Sequence, residues 1–281
     1  MKNRLLKILA ISLISMGSLF FAVNLFNEDF NMIPLTTQDV KDHDFRKVEN
    51  NAFSYGELLQ YKVGYSFITA GKGYFYILPK NIKKFGRDCY DIRFQVRSLE
   101  SLEWIYRVRD SYRTLLDKES LIPWEFEQHI REGNYKRDFE AYFDQVNNLA
   151  YTKKKIYDVP DNVHDIVSAF FYTRTKDLNK MKKGEVFYLN NFFDDTTYTL
   201  GVKMRGRQRV EVEAGKFDCI VIEPLVVEGG LFKSEGSILI WLSNDERKIP
   251  VKVATKILIG YVTAELVKYE GLNGPLKAKL D

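Results

Sequence analysis

Three histidines, His43, His129 and His164, carry the side chains that titrate near neutral pH. Only His164 has a nucleophile at helical spacing, Ser168 at i+4. A Ser–His pair needs hydrogen-bond reach and an oxyanion hole. No G-x-S-x-G elbow surrounds Ser168, and His164 reads equally well as a first-turn residue facing solvent. His129 shares a charged strand face with Glu125, Glu127 and Arg131, a solvated surface. His43 lies in a polar segment that would hold a base poorly. His164 with Asp165, or Asp194 with Asp195, could supply metal ligands, but no set has a recognisable spacing, and Asp194-Asp195-Thr196 is most simply a turn. The pairs Glu125/Glu127 and Glu211/Glu213 stand at i and i+2, about 7 Å apart along a strand. That overlaps the separation used in two-carboxylate glycoside hydrolysis, but alternating Glu is also ordinary strand surface. These residues assign no catalytic group, no metal and no cofactor.

The elements that would position them are nearly all strands. The exception is Asp161 to Thr175, DNVHDIVSAFFYTRT, where Val163, Ile166, Val167, Phe170 and Phe171 make one apolar helical stripe. Pro160 precedes it, and Asp161 or Asn162 can cap it. Before it, Leu59 to Phe67 alternates polar and apolar residues, and Ala70 to Gly73 reads as the turn of a hairpin. Tyr90 to Val96, Trp104 to Val108, Trp124 to Ile130 and Tyr135 to Phe143 repeat the alternation. The lysine-rich stretch Leu149 to Tyr157 suits a strand near an edge. After the helix, strands resume and close on Gly260 to Tyr269, with a turn at Gly229-Gly230. The fold expected is mainly β: a large, strongly curved antiparallel sheet or open barrel with one helix packed on its concave face. No linker divides residues 53–270, so they read as one domain. Residues 28–52 read as a polar lead-in or loose tether, and 271–281 as a disordered tail.

The first 27 residues read as a signal peptide or an uncleaved anchor. Lys2, Arg4 and Lys7 precede an apolar run over residues 8–26. Ala22 offers a weak cleavage site, and no lipobox cysteine is present. Both alternatives place the body outside the cytoplasm, in the periplasm or held to the inner membrane. The formal charge is +4, three charges of which those residues supply. The body is therefore close to neutral, which excludes a phosphate-tracking nucleic-acid surface. Cys89 and Cys219, the only cysteines, would lie in an oxidising compartment, where a disulfide or two buried thiols are both open.

Several blocks resemble the DUF3108 family of exported bacterial proteins, whose function is uncharacterised. FSYGELLQYKVGYSFITAGKG looks like its opening motif. PWEFEQHIREGNY, DIVSAFFYTRT, VEVEAGKFDCIVIEP, IWLSNDERKIPVKV and GYVTAELV follow in the family's order. The resemblance runs from about Phe53 to Tyr269. It implies an exported, β-rich domain and carries over no catalytic residue.

The alternation gathers aromatic side chains on one face: Tyr61, Tyr65, Phe67, Phe94 and Tyr106, then Trp124, Phe126, Phe139 and Phe143. With Phe170 and Phe171 of the helix they line the concavity. If the helix fills it, they are core. If the helix fills it partly, an apolar pocket remains, the usual form of a ligand site. The expectation is a non-enzymatic envelope protein holding an apolar or amphipathic ligand, such as a lipid. The alternative is an interaction module that binds an envelope protein through an edge strand, and a hydrolase ranks third.

Overall fold

The computed structural model describes residues 34–65, 68–226, 238–256 and 260–280. The N-terminal segment, Phe67 and the Gly229-Gly230 turn lie outside them. Nine strands come first: β1 (Leu58–Tyr65), β2 (Ile68–Ile77), β3 (Ile82–Lys84), β4 (Arg87–Ser98), β5 (Arg109–Asp117), β6 (Pro123–Glu132), β7 (Tyr135–Asp144), β8 (Leu149–Thr152) and β9 (Ile156–Asp158). Then come β10 (Val186–Phe193), β11 (Thr196–Val212), β12 (Gly215–Val226) and β13 (Ile238–Ser243). The last are β14 (Pro250–Lys256), β15 (Tyr261–Glu270) and β16 (Lys279–Leu280). Helix α1 (Thr37–Asp42) precedes them, and α2 (Ile166–Arg174) lies between β9 and β10.

One antiparallel sheet takes in all sixteen strands. Its order starts at β10, runs to β15, passes to β1, and ends at β9. The two halves of the chain therefore join where β15 pairs with β1, Val262 opposite Tyr65 and Glu270 opposite Leu58. The end strands β9 and β10 are not neighbours in the ladder, so the barrel is open. Side chains span the gap. Asp194 and Asp195 meet Arg137 and Lys154 at 2.5 and 2.7 Å. Phe192 packs on Phe143 and Tyr157, and Phe193 on Phe126 and Phe139. Outside the helix, His164 bridges to Asn191 of β10.

Several sequence expectations shift. Residues 70–73 are not the turn but lie within β2. A Cβ on Gly71 would stand 2.6 Å from the Arg97 carbonyl oxygen, so this glycine permits a close approach of β4. Trp104 and Tyr106 lie outside any strand, in a connection that begins with a 3-10 turn over Glu100–Leu102; β5 starts only at Arg109. Part of the lead-in is packed rather than loose. Leu35, Val40 and Phe45 are buried with Trp124 and Cys89, and Thr36 caps α1 with Asp39 in a reciprocal box. The tail is ordered as far as β16, which pairs with β12. Cys89 and Cys219 are free. They belong to separate clusters of the core, which keeps the thiols apart.

The concave face is tied to α2 by one ion pair. Arg174, at the helix end, has no exposure, and Glu57, just before β1, is 1% exposed. Their contact is bidentate, Nη1 to Oε1 at 2.6 Å and Nη2 to Oε2 at 2.8 Å. Arg174 Nη2 also donates to the Arg247 carbonyl at 3.0 Å. Phe53 and Phe171 face the guanidinium at 5.3 and 5.0 Å. A buried pair this well satisfied adds little against an apolar substitute, but breaking one side costs about 3–5 kcal/mol. Arg174→Ala should therefore lose about that much in urea unfolding, whereas Arg174→Met combined with Glu57→Leu should recover most of it. A loss below about 1 kcal/mol for Arg174→Ala would show that the pair does not fix the helix.

Candidate functional site

The helix begins where its cap chemistry dictates. Asp165, not Asp161 or Asn162, is the N-cap, and its carboxylate accepts from the backbone N–H groups of Val167 (2.7 Å) and Ser168 (2.9 Å). The Ser168 hydroxyl accepts in turn from the Asp165 backbone N–H at 2.9 Å, closing a reciprocal box. Asn162 at φ 53° breaks the chain direction beforehand, so Val163 of the expected stripe precedes the helix. The helix is also less amphipathic than its sequence suggests. Val167, Ser168, Ala169, Phe171, Tyr172, Thr173 and Arg174 are all buried, and only Ile166 and Phe170 among its apolar residues are half-buried. Its polar residues point into the protein because partners wait there.

His164 and Ser168 illustrate this, and they are no solvent face. Both are buried. Arg46, from the lead-in, places Nη2 2.9 Å from His164 Nε2. A guanidinium only donates, so Nε2 accepts and the imidazole proton sits on Nδ1. From there it donates to Ser168 Oγ at 3.2 Å. A histidine in that tautomer cannot take a proton from the serine. Burial, with Arg46 and Lys176, holds its pKa well below the usual value. The imidazole is a neutral connector, and the backbone of the same residue adds two bonds: the His164 N–H donates to the Asn190 carbonyl (2.9 Å), and the His164 carbonyl accepts from the Phe192 N–H (2.8 Å). These backbone bonds tie the start of α2 to the edge strand β10. The Asn191 amide reinforces the tie by donating to the carbonyls of His164 and Asp165.

The other candidate groups are also engaged. Glu125 and Glu127 hold Arg113 at 3.1 and 2.6 Å. Glu211 pairs with Lys216 and Glu213 with Lys62. His129 meets Asp138 at 2.7 Å, and His43 packs on Phe45 with the two rings tilted. Among the described residues no group of three or more His, Cys, Asp or Glu is placed to hold a metal. A buried carboxyl pair, Asp110 on β5 and Glu132 on β6, has no signature in the local residue pattern. Burial and Asp110 push Glu132 up to about 8.

The aromatic residues divide among separate clusters. Phe126, Phe139 and Phe171 are buried in the cluster around α2, with Phe94 and Phe170 half-buried against it. Tyr61 belongs to a second cluster with Leu59, Phe217 and Leu266, and its hydroxyl donates to the Pro250 carbonyl. Tyr65 packs with Val63, Val96 and Val262. Trp124 lies under the lead-in against Phe45 and Phe85. Tyr106 stands beside Gly133.

What remains open on the concave face is a seam where these clusters meet. Phe75, Phe94, Phe170, Phe187, Ile240 and Ala264 are all half-buried. Each of the first four borders the α2 cluster. Phe170 and Phe187 also border the cluster of Val202, Met204 and Ile222. Phe75 and Phe94 stack with centroids 4.2 Å apart, and Phe75 stacks on Phe170 at 5.7 Å. Phe75, Phe187 and Ile240 carry no local signal that separates them from ordinary core.

Residues 60–267 match a family described as "Protein of unknown function (DUF3108)". No curated protein matches the sequence. Among solved structures, a beta-barrel-like protein of a domain of unknown function, DUF1849, from Brucella abortus is similar at 11% identity with a TM-score of 0.49. That comparison covers 78% of this chain and 99% of the other. A DUF1089 family protein from Pseudomonas aeruginosa is similar at 12% identity and a TM-score of 0.34, over 57% and 82% of the two chains.

Asp165 gives the site a pH signature. Burial raises its carboxyl to about 6 against an ordinary 3.8. Between those values the folded chain binds more protons than the unfolded one, so this group lowers stability as pH rises. Asp165→Asn keeps a capping oxygen and removes the charge. Its melting temperature relative to the parent should rise from pH 4 to about 6.5, then level off. A constant or falling difference across that range would contradict the burial of a charged cap.

Proposed function

The chain belongs to the DUF3108 family, and we propose that it is an exported cell-envelope protein that holds an apolar or amphipathic ligand against the concave face of its sheet. The observation that carries this is the half-buried seam of Phe75, Phe94 and Phe170 beside Phe187, Ile240 and Ala264. Apolar side chains left half-exposed inside a curved sheet form the kind of surface that acyl chains cover. Rigid neighbours hold the seam in place. Phe171 is 1% exposed directly behind Phe170, and the Arg174–Glu57 pair fixes the helix end. The ligand is bound without reaction, in keeping with the His164 tautomer and the engaged carboxylates. Export is supported by the charged and apolar pattern of residues 1–27.

A second reading has its own observation. Tyr188 on β10 and Ile156 on β9 are 59% and 56% exposed, and these strands are the two ends of the ladder. An edge with exposed apolar residues suits strand addition by an envelope partner. The two readings separate experimentally. Native mass spectrometry of protein purified without detergent, with extraction of its lipids, should find acyl chains on the parent protein. Phe170→Glu should lose them with its circular dichroism unchanged, and Tyr188→Glu should keep them. Absence of acyl chains from the parent, together with no binding of added fatty acid, would refute the ligand reading and leave the edge-strand reading.

A further inference from the structure

A second site lies on the opposite, convex face of the sheet, and its chemistry differs. Four cations stand directly opposite one another on neighbouring strands. Lys62 of β1 faces Lys72 of β2, Lys72 faces Arg97 of β4, and Arg97 faces Arg109 of β5. Like charges directly opposite in an antiparallel pair destabilise it. The outer two are neutralised: Lys62 reaches Glu265 and Glu213 at 3.6 and 3.8 Å, and Arg109 reaches Glu103 at 3.2 Å. Among the described residues the inner two have no ion pair. Arg97 has only a long contact to Gln95 Oε1 at 3.4 Å.

These two cations open onto a concavity of about 810 Å³. Lys72, Tyr74 and Tyr76 of β2 and Gln95 and Arg97 of β4 form its floor. Their neighbours Gly73, Phe75, Phe94 and Val96 point the other way, into the core. The connection after β4 supplies a wall. Leu99 N–H bonds the Ala70 carbonyl at 2.9 Å and so holds Leu99, Glu100 and Ser101 over the floor. The result is a basin with two unneutralised cations, tyrosine and leucine surfaces, and hydroxyl groups. Its volume falls within the range of small-molecule sites, roughly 300–1,000 Å³.

We infer that this basin binds an amphipathic organic anion, a phosphate or carboxylate group seated between Lys72 and Arg97 with its apolar part on Tyr74 and Tyr76. An anion there removes the like-charge conflict between β2 and β4, and a guanidinium beside an ammonium suits a phosphate or carboxylate. Glu100 lies on the rim and opposes the bound charge. The site stands on the face opposite the seam and does not rest on the concave-face reading.

The test uses dodecyl phosphate below its micelle concentration, glycerol 3-phosphate, and vesicles of phosphatidylglycerol or of phosphatidylcholine. Titration calorimetry and flotation read binding. The parent should bind dodecyl phosphate; Lys72→Gln and Arg97→Gln should each weaken it at least tenfold, and Glu100→Gln should tighten it. Arg109→Gln, with its cation already paired to Glu103, should change binding less than twofold. In dilute chloride without ligand, Lys72→Gln should melt no lower than the parent. Binding of glycerol 3-phosphate as well would identify a free organic phosphate. Flotation with phosphatidylglycerol vesicles alone would identify a lipid headgroup. Equal losses in Lys72→Gln, Arg97→Gln and Arg109→Gln would reduce the effect to bulk charge and overturn the proposal, as would binding to none of these probes. If the Phe170→Glu variant loses acyl chains from the concave face but still binds dodecyl phosphate as the parent does, the two sites are separate.

Discussion

The buried contact between Arg174 and Glu57 is the constraint on which the rest of the concave face depends. A guanidinium at the end of a nine-residue helix has been taken out of water. It is tolerable there only because a carboxylate and the carbonyl of Arg247 satisfy it. Those partners come from the start of β1 and from the loop before β14. One side chain therefore ties the middle of the chain to both strand systems that flank it. The other end of the helix is fastened by the Asp165–Ser168 box and by the backbone of His164 against β10. With both ends pinned, the helix position is set by polar chemistry, and its aromatic residues take up fixed places against the sheet.

That rigidity explains why part of the interior stays open. An apolar plug held only by hydrophobic contact would slide to bury as much surface as it could, since that attraction is not directional. Pinned at both ends, α2 buries Phe171 and leaves Phe170 half-covered next to Phe75 and Phe94. The open barrel has a related cause. Where β9 and β10 fail to pair, Arg137 and Lys154 reach Asp194 and Asp195 across the gap, and Phe192 and Phe193 fill behind them. Side chains replace a ladder at that seam. Such a closure excludes water less uniformly than backbone pairing, and it leaves Tyr188 and Ile156 outside.

Much of the architecture was legible because strand alternation is a strong local signal. Trp124 to Ile130 and Tyr135 to Phe143 are strands, and the lysine-rich stretch after Leu149 does sit at an edge, though as the hairpin of β8 and β9 with Lys153, Lys154 and Lys155 between the strands rather than as one strand. Helix α2, unlike the short α1 in the lead-in, was visible as well, since its apolar spacing survives in DIVSAFFYTR. Its environment was not. His164 and Arg174 carry no sign of burial in a periodicity count, because their partners Arg46, Asn191 and Glu57 are far away in sequence. The AGKG stretch looked like a turn because glycine usually marks one. Gly71 is there because β4 passes too close for a side chain. Trp104 alternated convincingly with Tyr106 but is 83% exposed, since nothing in local spacing says where a strand meets its partner. The expected single aromatic face is divided, with Trp124 under the lead-in and Tyr61 in a cluster apart from α2, and irregularities such as those after Gln60 and Leu115 escape an alternation count.

The most direct test of the concave-face account is a crystal structure of the chain purified from the cell envelope without detergent. The account predicts elongated density lying along Phe75, Phe94 and Phe170, with α2 unmoved and Arg174 still on Glu57. A seam closed over by the protein's own side chains, with no ligand density, would contradict it.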